Sequence, residues 1–394
     1  MNNVDWIVAV YCILFCSLWY IINLQVMFDL LRITLFEKQS SPVPQMWPRL
    51  SVVIAACNEA DTIEKALATL LQQDYPSLEI IVVNDRSTDK TGELIDNISH
   101  GDDRVKAVHI TTLPAGWLGK VHALNAGTKE ANGEWILYTD ADVCFKQGTL
   151  RKAIAFALSA KLDHLTLVPY LHAPSFWLHV VILAFGAMFI NTTNAVNAGK
   201  PGSDAVVGAG AFNLVKKEAL DKTEGFSWLR MEVADDVGLG LMLSRAGAKN
   251  SFALALHDIS LTWYHSLTDM FKGLEKNIFG VSSHYKLARM MAIVLILWAT
   301  FFAPVIAIIY SRRVPYLWIF GVAAWLLVPF GALISKVRFR LKFFPLLLTP
   351  LGHLLISFML LYAGVLCKVR GGVIWRGTKY KTGDLRAGQR VKLL

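Results

Sequence analysis

Trp135-Ile136-Leu137-Tyr138-Thr139-Asp140-Ala141-Asp142 is an apolar run that ends in two carboxylates spaced i and i+2. Its first five residues predict a short strand that stops directly at Asp140. Upstream, the β-branched runs Leu50 to Ala55 and Glu79 to Val83 flank the helix-like stretch Asp61 to Leu71, which together read as a βαβ unit. Open parallel sheets bind ligands beyond the carboxyl ends of their strands. Each of these runs is followed there by a polar cluster: Asn58-Glu59, Asn84-Asp85-Arg86-Ser87-Thr88-Asp89 and Asp140-Ala141-Asp142. The expectation is an α/β domain built on a mostly parallel sheet.

Around this core the composition changes. Of 394 residues 54% are hydrophobic and only 18% charged, which argues against an ordinary soluble protein and against a disordered chain. Trp6 to Met27 is apolar apart from Asn23 and Gln25, long enough to cross about 30 Å of hydrocarbon as a helix. Asp5 precedes this run and Arg32 follows it, the reverse of a cleaved signal peptide, and the positive-inside bias puts Arg32 and Lys38 in the cytosol. Met291 to Tyr310, Pro315 to Ile334 and Phe343 to Leu366 read as further membrane helices, and Phe176 to Ile190, broken by His179, as an interfacial segment.

The expected organisation is an anchor and linker over residues 1–47, a catalytic domain over 48–285, membrane helices over 286–367 and a basic tail over 368–394. The chain is then an integral, multi-pass protein of the cytoplasmic membrane with its catalytic domain in the cytosol. The net charge of +9 lies largely beside the apolar segments and in the tail, so the partner it implies is the anionic lipid bilayer and not nucleic acid. Cys12, Cys16, Cys57, Cys144 and Cys367 have no metal-ligand spacing and indicate neither a disulfide framework nor a zinc site.

Taken singly, each polar cluster has an ordinary alternative. Asn58-Glu59 and the Asn84 to Asp89 stretch can be capped helix starts. Asp140 and Asp142 can be a solvated turn, or can converge on magnesium or manganese bridging phosphates. Asp235-Asp236 before the helix-like Val237 to Ala246 can complement a helix dipole, or supply a general base whose pKa is raised by burial and like charge. His257, Trp263 and His265 could face a site at the bilayer, though packing is the default for isolated residues of these types.

In combination the clusters have an order: strand-Asn-Glu, strand-Asn-Asp-Arg-Ser-x-Asp, Gly119-Lys120 through Asn125, strand-Asp-x-Asp, then an acid pair before a helix. This order resembles the membrane-bound family 2 glycosyltransferases of GT-A fold, over about 190 residues. The wording Leu113-Pro114-Ala115-Gly116-Trp117-Leu118-Gly119-Lys120, with Trp375-Arg376-Gly377 and the membrane helices, is similar to the branch that glycosylates hopanoids, carotenoids and ceramide.

The resemblance implies a nucleotide-sugar donor held by Ala56, Asn58, Glu59, Asp85, Lys120 and Asp140, with Lys120 near the diphosphate. It implies a divalent metal, Mg2+ or Mn2+, on Asp142 and Asp140, catalysis by Asp236 with Asp235 beside it, and a membrane-lipid acceptor over Gly208, Ala209 and Gly210. The family's frequent Gln-x-x-Arg-Trp motif is absent, and the comparable region reads Glu275-Lys276-Asn277-Ile278-Phe279-Gly280, which argues against processive polymer synthesis. Transfer to a polysaccharide or protein-linked acceptor, or a scaffold built on an inactive transferase domain, are the alternatives. A transporter is disfavoured because the apolar spans hold almost no ionisable groups.

Overall fold

The computed structural model describes residues 2–200 and 202–393. Nine strands, β1 (Thr34–Leu35), β2 (Leu50–Ala56), β3 (Leu78–Asp85), β4 (Val105–Ile110), β5 (Trp135–Asp140), β6 (Cys144–Phe145), β7 (His164–Leu171), β8 (Asn213–Lys216) and β9 (Asn250–Leu261), form one sheet. Its order is β1-β9-β7-β8-β5-β2-β3-β4, with β6 on the flank of β9. Pairing is parallel except at β8, which runs against β5 and β7, and at β6.

The strands predicted at the centre of the domain extend one or two residues beyond their expected ends. That is the usual ambiguity of element boundaries.

The central strands are apolar on both faces because both are covered. Val53, Ile81 and Val83 pack under the helix Gly119–Glu130 through Val121 and Leu124. The alternate residues Val52, Ile54, Ile80 and Val82 meet Ile63, Leu67 and Leu70 of the helix Ile63–Leu71 on the opposite face. Each branched side chain buried this way contributes roughly 1.5–3 kcal/mol. The register then positions the site: Ala55 lies opposite Asp140 and Ala56 opposite Asn84, so three strand ends emerge level along one edge.

Among the described residues four helices are long and apolar enough to cross a membrane: Asn3–Arg32, Leu287–Tyr310, Leu317–Phe339 and Thr349–Arg370. The first three form a bundle. The Asp5 carboxylate accepts from the Tyr310 hydroxyl (2.8 Å), Tyr11 donates to the Ala299 carbonyl (2.8 Å) and Trp19 to the Ala324 carbonyl (3.0 Å). Arg338 closes the end near the sheet by donating to the Ile33 carbonyl (2.8 Å).

The apolar stretch from Phe343 is not one helix. A short turn of helix, Phe343–Leu347, is separated from Thr349–Arg370 by Leu348, with Pro350 in the first turn of the second helix, where a missing N–H costs nothing. Thr349–Arg370 lies on the helix Phe176–Thr192, so closely that a side chain at Gly352 would stand 2.7 Å from the Ala184 methyl. At its other end Arg370 pairs with Glu275 of the sheet domain at 2.7 Å.

The tail folds back on the sheet domain. The strands β10 (Gly372–Trp375) and β11 (Thr378–Lys381) make a hairpin, and the Tyr380 hydroxyl accepts from the Gly119 N–H at 3.3 Å. Farther on, the buried Glu232 carboxylate accepts from the N–H groups of Arg390 (2.5 Å) and Val391 (2.9 Å).

Candidate active site

Four charged groups converge beyond the end of β5. Lys120 opens its helix one residue after Gly119, and its ammonium stands 2.8 Å from an Asp140 carboxylate oxygen and 3.4 Å from one of Asp235. Asp235 and Asp236 begin the helix Asp235–Arg245, two residues earlier than the sequence pattern suggests. Asp236 is anchored by two backbone donors, Gly210 N–H (2.9 Å) and Val237 N–H (2.8 Å).

The electrostatics separate these groups. Burial lowers the pKa of Lys120, but Asp140, Asp235 and Asp236 outweigh it and hold the ammonium charged. Burial raises Asp140, yet Lys120 dominates and keeps its pKa below the usual carboxylate value. Asp235 is pushed up to about 6 by burial against the pull of Lys120, and Asp236 is raised for the same reasons. An ionised Asp140 beside a carboxyl pair with raised pKa divides charge stabilisation from proton acceptance.

Among the described residues no three His, Cys, Asp or Glu side chains form a closed metal site. Asp140 and Asp142 are an open pair of hard oxygen donors. Burial, and then the charges of Asp140 and Glu59, push Asp142 up to about 7. A divalent cation removes that penalty, and two carboxylates completed by substrate phosphates are a usual magnesium set. The residues fit such an ion.

The other strand ends form one continuous wall. Asn58 adopts a left-handed backbone (φ 56°), tolerable for Asn, and its side-chain oxygen accepts from Thr88 N–H at 2.8 Å while its own N–H donates to Ser87 Oγ at 3.0 Å. These bonds tie the loops after β2 and β3 together. Asp85 is buried and forked by Arg86 at 2.8 and 3.0 Å. Glu59 is half-buried and pairs with Arg376 of the tail. Ala56 is buried in the core, so only its main chain is available to a ligand.

Gly208 and Gly210 are small because of close approach. A Cβ on Gly210 would stand 2.5 Å from an Asp140 oxygen, and one on Gly208 would overlap the Asp236 carbonyl. The segment 208–210 therefore lies directly against both acids. Val207 points the other way, into a cluster with Phe252, Leu254 and Phe339. Those three also line an apolar cavity of about 200 Å3 walled by the helices Asn3–Arg32, Phe176–Thr192 and Leu317–Phe339. His257 and Trp263 stand elsewhere: His257 beside Glu37 at 3.4 Å, Trp263 against the rings of Phe185 and Tyr264.

Residues 51–237, which contain every strand end and both acid pairs just described, match the model of glycosyl transferase family 2. The chain carries a family 2 glycosyltransferase domain. This glycosyltransferase domain is similar to two curated relatives among others. One is the probable glycosyltransferase YdaM of Bacillus subtilis, 44% identical over 97 residues, which cover 24% of this chain and 23% of that protein. The other is the GalNAc(5)-diNAcBac-PP-undecaprenol beta-1,3-glucosyltransferase of Campylobacter jejuni, 34% identical over 103 residues, 26% of this chain and 32% of that one.

Each alignment thus spans a third or less of the relative's length. The fold extends further. The mannosyltransferase PcManGT from Pyrobaculum calidifontis, solved with GDP-Man and Mn2+, superposes with a TM-score of 0.56 at 18% identity, over 92% of this chain and 99% of that one. The α/β GT-A architecture with long apolar helices at both ends is the fold of this chain.

Sequence reading missed Lys276, Arg376 and Glu232 as neighbours of the site. Arg376 is 317 residues from Glu59, and no local pattern carries a contact of that range. The visible signal was weaker: a basic residue at 276 where the family's Gln-x-x-Arg-Trp motif is absent, and Trp375-Arg376-Gly377 in the tail.

Proposed function

We propose that the protein is an inverting, metal-dependent glycosyltransferase that moves a sugar from a nucleotide-sugar donor to a membrane-lipid acceptor. The observation that carries this reading is the convergence of Lys120, Asp140, Asp235 and Asp236 beside the Gly208–Gly210 segment. The metal-containing GDP-Man complex of the mannosyltransferase and the undecaprenol-linked acceptor named for the Campylobacter relative are consistent with it.

In this mechanism the wall made by Ala56, Asn58, Glu59 and Asp85 holds the nucleoside, and Lys120 meets the diphosphate. Asp140 and Asp142 hold the divalent ion, which when bound supplies charge stabilisation to the departing diphosphate. The acceptor hydroxyl enters beside Gly208–Gly210, the segment that lies directly against Asp140 and Asp236. Asp236 takes the hydroxyl proton, the oxygen attacks the anomeric carbon, and the nucleoside diphosphate leaves from the opposite face, so one displacement inverts the centre. Backbone donors from Gly210 and Val237 fix the carboxylate of the base before substrate arrives.

A lipid acceptor is supported by what lies behind the same segment. The apolar cavity shares Phe252, Leu254 and Phe339 with the packing of Val207, next to Gly208, and two of its three helical walls are of membrane-crossing length. The packing also favours one topology. Thr349–Arg370 begins against the helix Phe176–Thr192 and ends at Glu275, so both its ends face the sheet domain. Three crossings, by Asn3–Arg32, Leu287–Tyr310 and Leu317–Phe339, then leave the sheet domain and the basic tail together in the cytosol, with Phe176–Thr192 and Thr349–Arg370 lying at the interface.

The test is incubation of the purified protein with a panel of nucleotide sugars and total lipid extract, read by mass spectrometry. A lipid that gains the mass of one sugar from one donor is the expected product. Release of free sugar with no glycosylated lipid from any donor would count against the acceptor class.

A further inference from the structure

The C-terminal tail touches three segments of the site just described. Arg376 pairs with Glu59 and donates to the Asn58 carbonyl, Tyr380 accepts from Gly119 beside Lys120, and Glu232, three residues before Asp235, holds the N–H groups of Arg390 and Val391. The hairpin turn that presents Arg376 is a two-residue loop, Arg376-Gly377, between the paired residues Trp375 and Thr378. Both loop residues have positive φ, 48° and 77°. Such turns favour Asn or Gly at the first position. An arginine there bears strain, and strained backbone persists where a function requires the side chain.

Lys276 is the second unusual group. Its ammonium lies 4.6 Å from the centroid of the Trp375 ring, so the same hairpin holds it. Glu275 is taken by Arg370 and Glu59 by Arg376, and among the described residues no ion pair involves Lys276. Its field nevertheless falls on Asp140 and Asp235. Asp140 thus stands within the reach of three cations, Lys120, Lys276 and Arg376, one from the helix after β4, one from the segment before the membrane helices and one from the tail.

We propose that Arg376 and Lys276 join Lys120 in a cationic cradle for the diphosphate of the donor, with the tail hairpin as the element that assembles it. The inference rests on the reading of the site as a nucleotide-sugar site. A diphosphate that gains charge as it leaves needs cations on more than the metal side. Arg376 suits this work because its side chain is 45% exposed, and its partner Glu59 can be exchanged for phosphate oxygens in the bidentate geometry that guanidinium favours. Lys276 has no carboxylate to give up. Trp375 supports its charge through the ring face until the phosphate arrives.

The test compares nucleotides differing by one phosphate. Dissociation constants of the full chain in lipid nanodiscs are measured for UDP, UMP, GDP and GMP by calorimetry. Wild type binds one diphosphate more tightly than its monophosphate. Arg376→Gln and Lys276→Met should each weaken the diphosphate at least about tenfold, as loss of a charged hydrogen bond does, while leaving the monophosphate nearly unchanged. Arg376→Lys should recover part of the loss.

Unchanged diphosphate binding in both variants, or parallel losses for mono- and diphosphate in variants whose thermal unfolding matches wild type, would overturn the cradle and leave the donor reading standing. Wild type that binds none of the four would overturn the donor reading and the cradle with it. If Lys276→Met fails to fold, the half-exposed Arg376 decides the matter alone.

Discussion

The ammonium of Lys120 sits 2.8 Å from the carboxylate of Asp140, joining the start of the Gly119–Glu130 helix to the end of β5. The pair is partly sheltered, and in the proposed mechanism it faces the departing diphosphate. Replacing Lys120 by Met removes this cation and leaves Asp140 unpaired. Transfer should fall at least about 100-fold, the usual effect of losing one preorganised electrostatic contact to a leaving group. Lys120→Arg should retain part of the rate. Steady-state transfer with donor saturating decides, and a Met variant within threefold of wild type would remove Lys120 from the mechanism.

Asp142 is where the proposed cation should act most, because burial and the charges of Asp140 and Glu59 push its pKa up to about 7. Chelation should abolish transfer, and added magnesium or manganese should restore it. Asp142→Ala should be inactive at any metal concentration. Full activity in excess chelator would make Asp140 and Asp142 an ordinary acidic turn.

The raised pKa of Asp236 sets the sign of the pH dependence. Burial shifts the group above its ordinary value of 3.8, against the pull of Lys120. A base works ionised, so kcat/KM should be on its plateau above the raised pKa and fall about tenfold per unit as pH drops below it. The acid limb should therefore lie above the ordinary carboxylate range. A profile flat down to pH 4 would contradict this.

Topology is open to chemical labelling. In a variant without Cys12, Cys16, Cys57, Cys144 and Cys367, single cysteines at Arg312, between two membrane-length helices, and at Lys379, in the tail hairpin, report opposite sides. An impermeant reagent added to intact cells should label position 312 and not 379. Labelling at 379 would require a fourth crossing and detach the tail from the catalytic side.

Much of this architecture was legible from local pattern. The runs at Leu50, Glu79 and Trp135 are apolar because both sheet faces are covered, and the acids that follow them interrupt that pattern sharply. The far half of the sheet was less visible. β8 has four residues, too few for periodicity, and β1 has two, placed in what reads as a linker. Leu348 divides the last apolar stretch in a way composition does not signal. Most hidden was the tail, whose basic residues read as a lipid-facing extension. Arg376 meets Glu59 across 317 residues of sequence, a separation that no local pattern carries.

The account depends most on Asp236 as the base that drives transfer to lipid. The direct measurement is a paired assay of wild type and Asp236→Asn in nanodiscs, recording glycosylated lipid by mass spectrometry and nucleotide binding by calorimetry on the same preparations. The substitution keeps the shape of the side chain and an oxygen able to accept one of its two backbone bonds. Nucleotide binding should be unchanged, while lipid glycosylation falls at least about 100-fold, more than in Asp235→Asn. An Asp236→Asn protein that binds nucleotide and glycosylates lipid at a rate close to wild type would contradict the account.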